Sequence, residues 1–212
     1  MNKEIVNRIM SSVILIPLVI FFTIKGSWFF NFLVSVCFLI TSYEWHIMAK
    51  KKTYYFLGFI FLILSFLSAL LLRNNFIHDF ILVILICIFT DIGGFTFGKI
   101  FKGPKLTKIS PNKTYSGVIG SYFLSIVSVL VYVNYYGNHW CGSVCPSENK
   151  LLIITLLISS ISQIGDLIIS FFKRKSKIKN TGKIIPGHGG LLDRIDGMIF
   201  AIPFTFLLLK YL

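Results

Sequence analysis

Four aspartates stand where an apolar chain gains nothing from a charge. Asp91 and Asp166 fall inside long apolar runs, and Asp193 and Asp196 open another. A carboxylate at the centre of a membrane span costs about 2.5–3.5 kcal/mol on insertion scales, so such residues are usually partnered and functional. Asp193 and Asp196 are three apart and share a helix face; Asp166, Ser170 and Arg174 follow one another at four-residue steps on a second. Cations stand close by in the chain: Lys173 and Arg174 after Asp166, Arg194 between the paired acids, and Lys113 in an earlier loop. Carboxylates holding a hard divalent metal, with Lys and Arg neutralising phosphate oxygens, are what a magnesium–polyphosphate site requires. For Asp91 taken alone, a helix-packing hydrogen bond explains the residue as well as chemistry does.

Glycines shape the backbone around these groups. In Asp91-Ile92-Gly93-Gly94-Phe95-Thr96-Phe97-Gly98-Lys99, Gly94 and Gly98 lie four apart on one face and admit a neighbouring helix or a ligand. Close helix packing is enough to account for that pair. The stretch Gly182-Lys183-Ile184-Ile185-Pro186-Gly187-His188-Gly189-Gly190 is different, because four glycines and a proline make a shaped turn just before Asp193. Its backbone amides are expected to cradle phosphate at the start of the last apolar run, with His188 facing the ligand in preference to only hydrogen-bonding the turn.

The elements that must carry these residues are membrane helices. Of 212 residues, 55% are hydrophobic and only 14% charged, where a soluble domain carries about a quarter charged. Apolar runs at about 9–24, 28–44, 54–72, 76–98, 116–137, 151–172 and 191–210 are long enough for a hydrocarbon core roughly 30 Å thick. The expected fold is therefore an all-α, polytopic integral membrane protein of about seven transmembrane helices, one domain over 1–212. The first run lacks a cleavage site and reads as a retained helix. The net charge of +13 sorts between the connections: sixteen cations fall on one side, and Lys25, Arg73, Lys150 and Lys210 on the other. That asymmetry predicts an N-in, C-out topology with the aspartates at the cytoplasmic end. Nucleic acid is not an expected partner, since no aromatic residues interleave the cations. Cys141 and Cys145 share an outer loop with no second Cys or His pair to complete a zinc site.

Ser170-Phe171-Phe172-Lys173-Arg174, four residues, Lys179-Asn180, then Pro186-Gly187-His188-Gly189-Gly190-Leu191-Leu192-Asp193-Arg194-Ile195-Asp196 resembles the signature of the phosphatidate cytidylyltransferases, the CDP-diacylglycerol synthases. Gly165-Asp166-Leu167 is similar to that family's Gly-Asp element. Ser110-Pro111-Asn112-Lys113-Thr114, with Gly117 and Gly120, resembles its Ser-Pro-x-Lys-Thr loop. The likeness covers a catalytic signature at 163–198 and a second segment at 91–120, with weaker echoes at Arg8, Ser11 and Glu44-Trp45. Asn180 stands where the signature has Asp, and Tyr115-Ser116 where the loop usually reads Trp-Glu.

The resemblance implies transfer of the cytidylyl group from CTP to phosphatidic acid, giving CDP-diacylglycerol and pyrophosphate at the cytoplasmic face of the inner membrane. It implies Mg²⁺ on Asp166 and Asp193, with Asp196 as a third ligand or the holder of one. Lys173, Arg174 and His188 join the three acids as catalytic residues. Ser110, Lys113, Thr114, Ser170, Gly189, Gly190, Arg194 and Asp91 are the expected substrate contacts. CTP, phosphatidic acid and the bilayer are the expected partners, and a homodimer stays open beside a monomer. Two rivals also stay open: a carrier of an anionic substrate, and another lipid nucleotidyl- or phosphotransferase.

Overall fold

The computed structural model describes residues 13, 15, 17–50, 52–107, 110, 111, 113–136, 148–182, 184 and 189–211. Every regular element among them is helical: α1 over residues 17–25, α2 (Ser27–Ala49), α3 (Tyr55–Asn75), α4 (Ile77–Phe101), α5 (Tyr115–Tyr136), α6 (Glu148–Lys175), the short α7 (Leu192–Ile195) and α8 (Met198–Tyr211). The described parts of the expected apolar runs fall on helices, the first over 17–24. Among the described residues, five helices, α2 to α6, are long and apolar enough to cross a membrane. Helices close their own backbone hydrogen bonds, the condition for crossing hydrocarbon. Large apolar side chains such as Trp28, Phe56, Leu57 and Tyr135 point outward from these helices, as they do where lipid rather than water is the solvent.

The seventh run departs from a single continuous helix. It divides at Asp196–Gly197 into α7 and α8, because a side chain at Gly197 would strike Ser162 of α6 and the Gly197 N–H turns to Asp196 Oδ1 at 2.9 Å. At about 1.5 Å per residue the 14 residues of α8 reach roughly 21 Å, short of a full crossing without α7.

Two apolar clusters join the bundle. Phe30, Leu72, Phe80, Val83, Ile86 and Ile158 form one, and Trp45, Met48, Leu62, Ile169, Leu192 and Ile199 form the other, beneath the signature residues. The tightest approach joins α4 to α5, where Gly93 lies directly on the Gly120 carbonyl and no Cβ would fit. The Gly94 and Gly98 pair faces the same neighbour: a Cβ would stand 3.0 Å from Ser121 Oγ at Gly94 and 3.0 Å from Thr114 Oγ1 at Gly98.

Two short segments turn the chain back over one end of the bundle. Between α4 and α5, Lys105 and Thr114 form an antiparallel bridge, and the Leu106 N–H donates to the Lys113 carbonyl at 2.8 Å. After α6 the chain reverses in a Schellman motif: Ile178 N–H bonds Lys173 O and Lys177 N–H bonds Arg174 O, both at 3.0 Å, with Lys177 left-handed at φ 58°.

Candidate active site

The residues singled out in the sequence assemble where the end of α6, the loop before α5 and the start of α7 meet. Asp166, on the last third of α6, is the hub of one group. Its Oδ2 lies 2.6 Å from Lys113 Nζ, and its Oδ1 accepts the Ser170 hydroxyl at 3.2 Å, one helical turn on. Asp166 also shares a side-chain hydrogen bond with Asp196, which is only 7% exposed. Gly165 allows this meeting, since any Cβ there would press on the Asp196 carbonyl and the Phe200 ring. Asp91 lies within electrostatic range of Asp166, Asp196, Lys113 and Arg194. Three carboxylates from α4, α6 and the α7–α8 turn are thus close enough to act on one another.

A second group forms about two turns along α6 from Asp166. Lys173 Nζ lies 2.8 Å from Asp193 Oδ1, with both side chains largely buried. Asp193 Oδ2 accepts the backbone N–H of Thr181 at 2.8 Å and of Gly190 at 3.2 Å. Lys173 also acts electrostatically on Asp166 and Asp196, so one ammonium links the two groups.

Glu44 of α2 completes the arrangement. The Thr181 hydroxyl donates to its Oε2 at 2.9 Å, the Leu192 N–H to the same oxygen at 2.8 Å, and the Leu191 N–H to Oε1 at 2.9 Å. The sequence marked this residue only through the faint Glu44-Trp45 echo. An acid five residues before the end of an apolar helix was the signal available.

The amides of Gly190, Leu191 and Leu192 are taken by Asp193 and Glu44, while most of the turn expected to cradle phosphate, 183 and 185–188, lies outside the described residues. Gly189, left-handed at φ 90°, lies beside Asp193 and Asn180. His188, Cys141 and Cys145 lie outside the described residues. Thr114 serves as the N-cap of α5, its hydroxyl accepting the Gly117 N–H at 3.1 Å. Ser110 turns the loop through its backbone, bonding Thr107 Oγ1 at 3.2 Å and receiving the Lys113 N–H at 3.1 Å. Arg174 and Arg194 are exposed beside the two groups.

The three acids expected to share one metal divide between the groups. Among the described residues, no set of three or more His, Cys, Asp and Glu is close enough to hold one ion. Asp193 is drawn away by Lys173 and the two amides, which leaves the Asp166–Asp196 pair. A pair suits magnesium, which commonly takes one or two carboxylates and fills its octahedron with water and substrate phosphate. Two carboxylates in hydrogen-bond contact also need a proton or a cation between them.

Residues 53–212 match the model of the cytidylyltransferase family. The chain is 36% identical over 214 residues to a phosphatidate cytidylyltransferase of Rickettsia typhi, across 97% of this chain and 92% of that one. It is 36% identical over 218 residues to a phosphatidate cytidylyltransferase of Rickettsia prowazekii, across 100% and 94% of the two chains. Against a phosphatidate cytidylyltransferase of Staphylococcus aureus it is 35% identical over 188 residues, across 84% of this chain and 68% of the relative.

Proposed function

The chain belongs to the cytidylyltransferase family, and from that premise we propose how its residues transfer the cytidylyl group from CTP to phosphatidic acid, making CDP-diacylglycerol and pyrophosphate for phospholipid synthesis. An oxygen of the phosphatidate headgroup attacks the α-phosphorus of CTP, and the bond to the β-phosphate breaks. The nucleophile is already an anion, so little base catalysis is needed. The demand is to hold two highly charged phosphates in line and to neutralise charge as pyrophosphate leaves.

Lys113 and Lys173 meet that demand from two sides. Each ammonium is held by one carboxylate, Asp166 or Asp193, so each is aimed without side-chain freedom to lose on binding. Arg174 and Arg194, exposed at the rim, meet phosphate as it arrives. Magnesium is the proposed cofactor: Asp166 and Asp196 would hold it, Asp91 adding charge nearby, and it would supply Lewis-acid stabilisation of the phosphoryl oxygens. An apolar cavity of about 450 Å³, lined by Trp45, Phe61, Ile168, Phe172, Ile199 and Phe200, reaches α6 beside Ser170 and takes an acyl chain.

The proposed topology is seven spans, N-in and C-out, in the inner membrane with the site on the cytoplasmic face, where CTP is available. The loop cations support it. The observation that carries the functional reading is the meeting of Lys113 and Asp166 across two segments joined only by the fold. Purified protein given phosphatidate, Mg²⁺ and CTP is expected to release pyrophosphate and form CDP-diacylglycerol, and to do neither with ATP. Turnover with ATP, or none with CTP, overturns the reading.

A further inference from the structure

We infer that Glu44 is a positioning residue for the triphosphate side of the site: it locks the start of α7 so that Asp193 aims Lys173 at CTP. This rests on the function proposed above.

Glu44 is 1% exposed and lies at the cytoplasmic end of α2, far in sequence from the signature. Its helix end is bolted in place. The Trp45 indole N–H donates to Tyr55 O at 3.0 Å, the Trp45 ring stacks edge-on against Phe172 at 5.5 Å, and the Ser176 hydroxyl donates to Met48 O at 2.9 Å. From that anchor the carboxylate reaches both ends of the segment that runs from Thr181 to Leu192. Gly182 and Gly190 fit closely around it, since a Cβ on either would come within 2.6–2.7 Å of a Glu44 oxygen.

The wiring between Glu44 and Asp193 is what assigns the role. Thr181 gives its hydroxyl to Glu44 and its N–H to Asp193. Gly190 gives its N–H to Asp193, and the next two residues give theirs to Glu44. The two acids therefore hold neighbouring donors of one segment, and moving either releases donors from both of its ends. Among the described residues, Asp193 Oδ1 is held by Lys173. A buried carboxylate is a costly way to fix a turn. It is suited to this place because it accepts at both oxygens, which three donors require and a glutamine cannot provide. It also lends negative charge to the neighbourhood that holds Lys173.

The test is a mutant cycle read by CTP binding to the purified full chain in lipid nanodiscs, without phosphatidate. Glu44→Gln is expected to weaken CTP binding about tenfold, the loss of roughly one charge-assisted bond, with the number of sites unchanged. In an Asp193→Asn background the same substitution is expected to change the Kd less than twofold, because its effect travels through Asp193. In turnover, KM for CTP is expected to rise while KM for phosphatidate stays put. Equal weakening in both backgrounds, a fall in the number of sites at constant Kd, or wild-type affinity in Glu44→Gln each overturns the assignment. If Glu44→Gln does not fold, Thr181→Val enters the cycle in its place. That change removes one donor of Glu44 and keeps the amide that serves Asp193, and it is judged by the same two outcomes. Wild-type protein that fails to bind CTP counts against the proposed function itself.

Discussion

Lys113 and Asp166 meet at 2.6 Å, although one stands on the loop before α5 and the other on α6. The pair sets the ammonium in competition with any metal for the same carboxylate. When a cation is removed from beside a ligand, the ligand becomes more available to another cation. Lys113→Gln is therefore expected to lower the Mg²⁺ concentration for half-maximal rate several-fold, while the maximal rate falls about a hundredfold because a phosphate loses its counter-charge. A Mg²⁺ titration of turnover checks both. A half-point that rises would remove Lys113 from the contest.

The Asp166–Asp196 contact makes these two acids interdependent. Replacing either with Asn keeps the shape and removes a charge, so Asp166→Asn and Asp196→Asn are each expected to cut turnover about a hundredfold or more at saturating Mg²⁺. The double variant is expected to lose little beyond the worse single one, since the pair acts as a unit. Initial rates of the three proteins, normalised to folded protein, give the comparison. Additive losses would mean that the two acids serve separate steps.

Gly190→Ala asks whether the packing around Glu44 is as tight as it stands. The new methyl would collide with Thr181 Oγ1 and the Glu44 carboxylate. Overpacking of this kind costs roughly 1–3 kcal/mol. The expected result is a melting midpoint lowered by several degrees and weaker CTP binding together, measured by thermal denaturation and by calorimetry. Gly189→Ala, at a left-handed position, is expected to cost stability through backbone strain instead.

Much of this arrangement was legible from residue types and spacing. Asp166 and Ser170 meet as their four-residue spacing implied, because a helix fixes neighbours at such steps and the membrane makes every stray carboxylate conspicuous, whereas Lys173 rather than the exposed Arg174 turns inward, to Asp193. Glu44 was nearly invisible, since its partners are backbone amides whose sequence carries no trace of them. The split of Asp193 from Asp166 and Asp196 was hidden for the same reason. Asp193 and Asp196 share a face of an ideal helix, yet the amides of Thr181 and Gly190 hold one while the Gly197 turn holds the other. The Gly94 and Gly98 spacing read as a place for a ligand or for a neighbouring helix, and the crossing of α4 and α5 puts α5 and its N-cap against both.

The proposed orientation rests on the loop cations and is open to a direct measurement. Lys179 is exposed after α6 and Lys150 at the start of α6. In sealed cells, a cysteine in place of Lys179 is expected to resist an impermeant maleimide until the membrane is opened. One in place of Lys150 is expected to react at once, in each case over the background of the native thiols. Reaction of the Lys179 cysteine from outside would invert the topology and deprive the site of cytosolic CTP.

Asn180 is the clearest departure from the signature, and the structure gives it a neighbourhood. It flanks Gly189 together with Asp193: a Cβ on Gly189 would stand 3.5 Å from Asn180 Cγ and 3.4 Å from Asp193 Oδ2. It therefore belongs with the Lys173–Asp193 group rather than with the Asp166–Asp196 pair. Asn180→Asp adds a negative charge beside Asp193. If magnesium sits on Asp166 and Asp196, the added charge acts at a distance and is expected to move the Mg²⁺ half-point less than twofold. Its nearer effect falls on Lys173, whose ammonium is then held by more negative charge and gives less to phosphate, so KM for CTP is expected to rise modestly. Side-by-side titrations of Mg²⁺ and CTP separate the two effects. A several-fold fall in the Mg²⁺ half-point with KM for CTP unchanged would move the metal from the Asp166–Asp196 pair to the Asp193 group.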